Sequence, residues 1–93
     1  MRVTDFEWTD EKVEHIARHG VDPEEVEDVC FSDTCCVEIG RGGLHYATGR
    51  TASGRYLVVV LRYLGRGKVR VVTARDMDDK EKSRYRRKKG HYP

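Results

Sequence analysis

The chain has 93 residues, of which 37% are charged and 38% hydrophobic, and a net charge of +2. That length supports one small domain, residues 1–93, with a single core, and the grouping of its apolar residues into periodic runs excludes a disordered chain. No run approaches the roughly 20 apolar residues of a membrane span and no basic-then-apolar leader opens the sequence, so the expected location is the cytoplasm.

The small net charge conceals a strong polarity. Residues 1–33 carry 11 acidic against 3 basic side chains, and residues 34–93 carry 5 against 15, giving −8 and +10. A fold with one acidic and one basic end offers the basic end to a nucleic-acid backbone. A solvated, internally paired surface is the plainer account of the same charges.

In chain order, Phe6 and Trp8 form a short extended piece, followed by a helix capped by Thr9 or Asp10, with Val13, Ile16 and Ala17 on one side and Gly20 as its stop. A second helix has Asp22 as N-cap, Pro23 at its first position, acids in its first turn and Val26, Val29 and Cys30 inward. From residue 35 the period changes to two. The runs "CCVEI", "LHYATGRT", "GRYLVVVLRYL" and "KVRVVTAR" are separated by glycine-containing turns, which predicts a four-stranded antiparallel meander. A last helix begins at Asp76 or Asp78, and the chain is expected to fray beyond Gly90, leaving His91 and Tyr92 in a tail. The fold class is therefore α+β: two N-terminal helices, a four-stranded antiparallel sheet and a C-terminal helix.

Three cysteines, Cys30, Cys35 and Cys36, are an odd set, and the vicinal pair would strain a mutual bridge, so small buried side chains are expected rather than disulfides. A zinc site combining them with His45 lacks a ligand spacing. No tight Asp/Glu cluster suits a catalytic Mg²⁺, and neither metal nor cofactor is expected.

The segments "FEWTDEKVEHIARHGV", "GRTASGRYLVVVLRY" and "VRVVTARDMDDKEKSRYRR" resemble, in order and spacing, the signature segments of the BrnT toxin family. These are small RelE-like ribonucleases of type II toxin–antitoxin systems. The resemblance implies an RNA endonuclease that works without metal, letting the 2′-hydroxyl attack its own phosphate. It also implies a DNA-binding, BrnA-like antitoxin as partner, in a heterotetramer with two copies of each chain. Such chemistry needs the backbone positioned, the phosphorane charge stabilised and two protons moved. Arginine, a planar fork that stays charged, suits the second task.

Strand alternation selects candidates. Tyr56, Val58, Val60 and Arg62 share the open face, while Leu57, Val59, Leu61 and Tyr63 are expected under the helices. In the next strand, parity places Lys68, Arg70, Val72 and Ala74 opposite Val69, Val71, Thr73 and Arg75, with a bulge able to re-aim Arg75 at the strand end. The candidate catalytic set is Arg62, Arg75 and Arg84 for the phosphate, with Tyr85 and His45 for stacking or proton transfer; Arg50, Lys68, Arg70, Arg87 and Lys88 are candidate RNA contacts. Tyr63 reads as core, and His19 as a helix-end cation. The competing readings are a binding module without turnover, and an inactive toxin relic within an autorepressing complex.

Overall fold

The computed structural model describes residues 3–89; the expected fraying beyond Gly90 and the tail positions His91 and Tyr92 lie outside them. Phe6 belongs to a three-residue strand, β1 (Asp5–Glu7), and Thr9 caps the helix that follows, α1 (Asp10–Ala17), by accepting a bond from the Lys12 amide. Helix α2 (Pro23–Phe31) opens with a full capping box. The Asp22 carboxylate accepts from the Glu25 amide at 2.9 Å, and the Glu25 carboxylate accepts from the Asp22 amide at 3.1 Å. Both caps match the sequence expectation.

Four strands follow: β2 (Cys36–Ile39), β3 (Leu44–Arg50), β4 (Tyr56–Gly65) and β5 (Lys68–Asp76), with a single 3₁₀ turn at Arg41–Gly43 before β3. They pair antiparallel in sequence order, as alternation predicts. The correction is at the edge. β1 lies parallel to β5, with Phe6 opposite Val69, so the sheet has five strands in the order β1-β5-β4-β3-β2 and is mixed. A three-residue strand carries too little pattern to announce itself; its ladder comes from a segment some sixty residues away in the chain.

Helices α1 and α2 cover one face. Ile16, Val21, Val26 and Val29 meet Ala47, Leu57, Val59, Leu61, Val69, Val71 and Ala74 in one core, nearly all fully buried. Each such aliphatic side chain contributes about 1.5–3 kcal/mol relative to exposure. Ala17, assigned inward from the sequence, is exposed instead. Tyr63 also departs from expectation. It lies beyond the helices, 40% exposed, and its hydroxyl accepts from the Gly67 amide at 2.8 Å across the β4–β5 turn.

On the opposite face a second, smaller cluster of Val58, Met77 and Tyr85, flanked by Tyr46, Tyr56 and Val60, seats helix α3 (Asp79–Lys89). Asp78 and Glu81 cap it reciprocally, at 2.8 and 2.9 Å. Helices α1 and α2 thus lie on one side of the sheet and the single helix α3 on the other.

Candidate active site

The position of Arg75 depends on a bulge. Val60 pairs with Thr73 but Leu61 pairs with Val71, so Val72 is an extra residue in β5. Simple parity therefore fails beyond Val72. Val69, Val71 and Ala74 all enter the core under α1 and α2, whereas Arg75 pairs with Val58 on the α3 side.

There Arg75 meets the candidates from α3. A cavity of about 190 Å³ is lined by Glu38, Tyr46, Thr48, Val58, Arg75, Glu81, Arg84, Tyr85 and Lys88. Arg75 grips Glu81 with both guanidinium nitrogens, at 2.7 and 2.9 Å, and donates also to the Asp76 carbonyl at 3.1 Å. The same contact holds the Glu81 carboxyl below its ordinary value and raises Arg75. From α3, Arg84 and Lys88 both reach the Glu38 carboxylate on β2. Two carboxylates thus hold three cations at the rim of one cleft. Tyr46 enters it because residue 40 is glycine. A β-carbon there would lie 1.9 Å from the Tyr46 ring, so Gly40→Ala would drive the ring out.

Sequence reasoning placed Tyr85 in the site, and it lines the cavity, but as a packed residue. Its ring is buried and its hydroxyl donates to the Thr34 carbonyl at 3.0 Å. The other two catalytic candidates do not join. Arg62 lies on the same face four residues beyond Val58, about 13 Å along the strand, opposite Arg70, and donates to the Gly42 carbonyl at 3.4 Å. His45 pairs with Leu61 and so shares the α1–α2 face, stacked edge-on against Tyr63 with its ring centroid 6.2 Å away. It is on the wrong side of the sheet for Arg75. Its buried Nδ1 has no hydrogen-bond partner among the described residues.

Of the RNA-contact candidates, Lys88 lines the cavity. Arg70 is paired with Glu7 of β1, with Lys68 close enough to act on the same carboxylate. Arg87 lies outside the cavity, beside Asp79, Lys80 and Ser83 on α3. Arg50 packs over the Tyr56 ring, 5.0 Å from its centroid.

Sequence reasoning passed over two residues. Arg55 binds Asp76 and Glu25 and donates to the carbonyls of Gly20 and His19, tying the acidic helices to the start of β4 and the end of β5. Tyr56 is the other. Arg86 bonds its phenol and, with Arg50 and Lys82 nearby, pulls its pKa below the usual value. No group of three or more His, Cys, Asp or Glu able to hold a metal ion occurs among the described residues, and burial pushes the Cys30 thiol up, away from reactivity.

A mixed sheet with paired helices behind it and a cationic cleft under a basic third helix defines a small α+β domain. The crystal structure of the Brucella abortus ribonuclease toxin, BrnT, superimposes with a TM-score of 0.67 at 19% identity, covering 83% of this chain and all of that one. The family model for the ribonuclease toxin BrnT of type II toxin–antitoxin systems matches residues 8–81, and the chain belongs to that family. Arg75 lies inside the matched span; Arg84, Tyr85 and Lys88 lie beyond it. A search of the curated proteins gives no match. No helix among the described residues is long and apolar enough to cross a membrane.

Proposed function

We propose that this chain is a metal-independent RNA endonuclease of the cytoplasm, cutting by attack of a 2′-hydroxyl on the adjacent phosphate in the cleft between β2–β5 and α3. The observation that carries the reading is the convergence of Arg75, Arg84 and Lys88 on one cavity with Tyr46 beside them. A phosphate entering it competes for guanidinium groups now held by Glu81 and Glu38. The phosphorane-like transition state carries more negative charge than the ground state, so the displacement favours it selectively. A carboxylate so displaced accepts the 2′-hydroxyl proton, and the Tyr46 phenol is the group in the cleft able to give one to the leaving 5′-oxygen; His45, on the other face, serves neither step. Both carboxylates already answer to cations, which supports cleavage by organic groups rather than through a bound metal.

The family's type II organisation supports an antitoxin partner, which we take to be a BrnA-like DNA-binding protein that covers the cleft in a complex of two toxin and two antitoxin chains. An antitoxin segment rich in carboxylates would complement this face. A complex that leaves Arg75 and Arg84 open to solvent would refute inhibition by occlusion.

Incubation with a single-stranded RNA in excess chelator tests the chemistry. The expected products end in 2′,3′-cyclic phosphate, and a 2′-deoxy residue at the cut position blocks them. Cleavage that requires a divalent ion, or proceeds through a 2′-deoxy position, would overturn the mechanism.

A further inference from the structure

The ion pairs of the basic half are unevenly distributed. Arg55, Arg70, Arg75, Arg84 and Lys88 each sit against a carboxylate. Arg50, Lys82 and Arg86 form no ion pair among the described residues, yet they converge on one side chain. The guanidinium of Arg50 lies 5.0 Å and that of Arg86 5.3 Å from the centre of the Tyr56 ring, and Lys82 is close enough to act on the phenol. All three cations act on one phenol, Lys82 on Asp76 as well, and an anion bound beside them lowers their mutual repulsion. Tyr56 is fixed from beneath by an edge-on contact with the buried Tyr85 ring, 5.9 Å between centroids, so the cluster stands on a rigid base. Beyond Arg50 a polar cleft of about 410 Å³ continues past Ser32, Thr34, Thr51 and Asp28, whose carboxylate accepts from the Ala52 amide. That is within the range of roughly 300–1,000 Å³ in which small-molecule sites fall, with hydroxyls suited to a ribose or base edge.

We propose that Arg50, Tyr56, Lys82 and Arg86 form a second phosphate subsite, which holds an RNA phosphodiester next to the one cleaved and so fixes how the strand crosses the sheet. The two guanidiniums and the ammonium bind the phosphate oxygens, and the adjoining polar cleft takes the nucleoside on one side of it. The lowered phenol pKa fits the same field, because it measures positive potential at the oxygen an anion would approach. The subsite deepens the RNA reading above and rests on it, but binding and cleavage separate in the test.

A fluorescent 2′-O-methyl oligoadenylate, which has no attacking hydroxyl and no base that titrates near pH 10, is the probe. Its affinity is measured across a salt series with wild type, Arg50→Ala, Arg86→Ala and the double variant. Arg41→Ala, at the opposite end of β3, controls for loss of one charge. Each subsite substitution is expected to make the plot of log affinity against log salt shallower by about 0.7, the single-strand value per phosphate contact, with Arg41→Ala unchanged. In a 13C spectrum of labelled tyrosine, one Cζ resonance, absent in Tyr56→Phe, is expected to titrate early in the free protein and later with the oligonucleotide bound. A double variant with wild-type affinity and slope, or a Tyr56 titration indifferent to the oligonucleotide, overturns the subsite even if the enzyme cuts RNA. Full dependence on Arg50 and Arg86 in a protein that cuts no RNA supports the subsite and refutes the cleavage reading instead.

Discussion

The two sides of α3 meet cations in opposite states. In the cleft, Arg75 is locked to Glu81, and Arg84 and Lys88 to Glu38. Around Tyr56, Arg50, Lys82 and Arg86 form no ion pair among the described residues, although Lys82 acts on the Asp76 carboxylate from beyond contact. A guanidinium fixed by a carboxylate has already lost its side-chain freedom, and a transition state that replaces the carboxylate finds its donors placed. Its charge is largely neutralised, so it attracts little from a distance. Free guanidiniums do the reverse: they generate the field that draws RNA in and hold its backbone, without discriminating between ground and transition states. In the proposed reading, that difference divides the labour between catalysis and grip.

The comparison is broken most severely at Arg75. Arg75→Ala is expected to lower RNA cleavage ten- to a thousand-fold, about 1.4–4 kcal/mol of transition-state stabilisation. Its stability cost stays within about 1 kcal/mol, because the Arg75–Glu81 pair is part-exposed. Parallel cleavage assays and circular dichroism melts read both numbers.

Removing the seat under α3 should damage both cation groups at once. Met77 is 4% exposed and packs with Val58 and Tyr85. Met77→Ala is expected to cost about 2–5 kcal/mol in chemical denaturation. Hydrogen exchange should show the α3 amides losing protection first, since the larger core under α1 and α2 is untouched.

A smaller change sharpens the contrast. Glu38→Gln frees Arg84 and Lys88, making the cleft resemble the surroundings of Tyr56. RNA affinity at low salt should rise several-fold, with a steeper salt dependence. The cleavage rate at saturation should not rise with it.

The smallest effect is in the acid limb of stability. Arg75 lowers the folded pKa of Glu81, and Arg55 that of Asp76, below the ordinary values of 4.5 and 3.8. The stability these pairs add is present above those ordinary values and is lost as pH falls through the lower folded ones. Wild type should therefore lose melting temperature below about pH 4, and Glu81→Gln should lose less over the same interval.

Much of the scaffold was legible because local chemistry announces it: Thr9 and Asp22 before helical periods, Pro23 at a first turn, and Leu57, Val59 and Leu61 alternating toward the helices. The site was half legible. Arg75, Arg84, Tyr85 and Lys88 do meet, because a three-turn helix returning over a sheet brings its inner residues back to the strand end. Parity failed where register is not local. The extra Val72 moves Arg75 and Ala74 each to the face opposite the one alternation assigns, and no residue in "KVRVVTAR" marks that position. The face of His45 follows from the register of β3 on β4, which fixes it opposite Leu61 rather than Arg62. The role of Arg55 was hidden because its partners, Glu25 and Asp76, come from distant elements. Tyr56 looked like one more alternating strand residue until α3 laid Arg86 beside it.

Single-turnover cleavage at saturating enzyme separates grip from chemistry most directly, with Arg75→Ala and Arg50→Ala compared on one RNA. The account predicts a rate constant ten- to a thousand-fold below wild type for Arg75→Ala. For Arg50→Ala it predicts a wild-type rate constant, reached only at several-fold higher enzyme concentration. A folded Arg75→Ala protein that cleaves at the wild-type rate at saturation would contradict it.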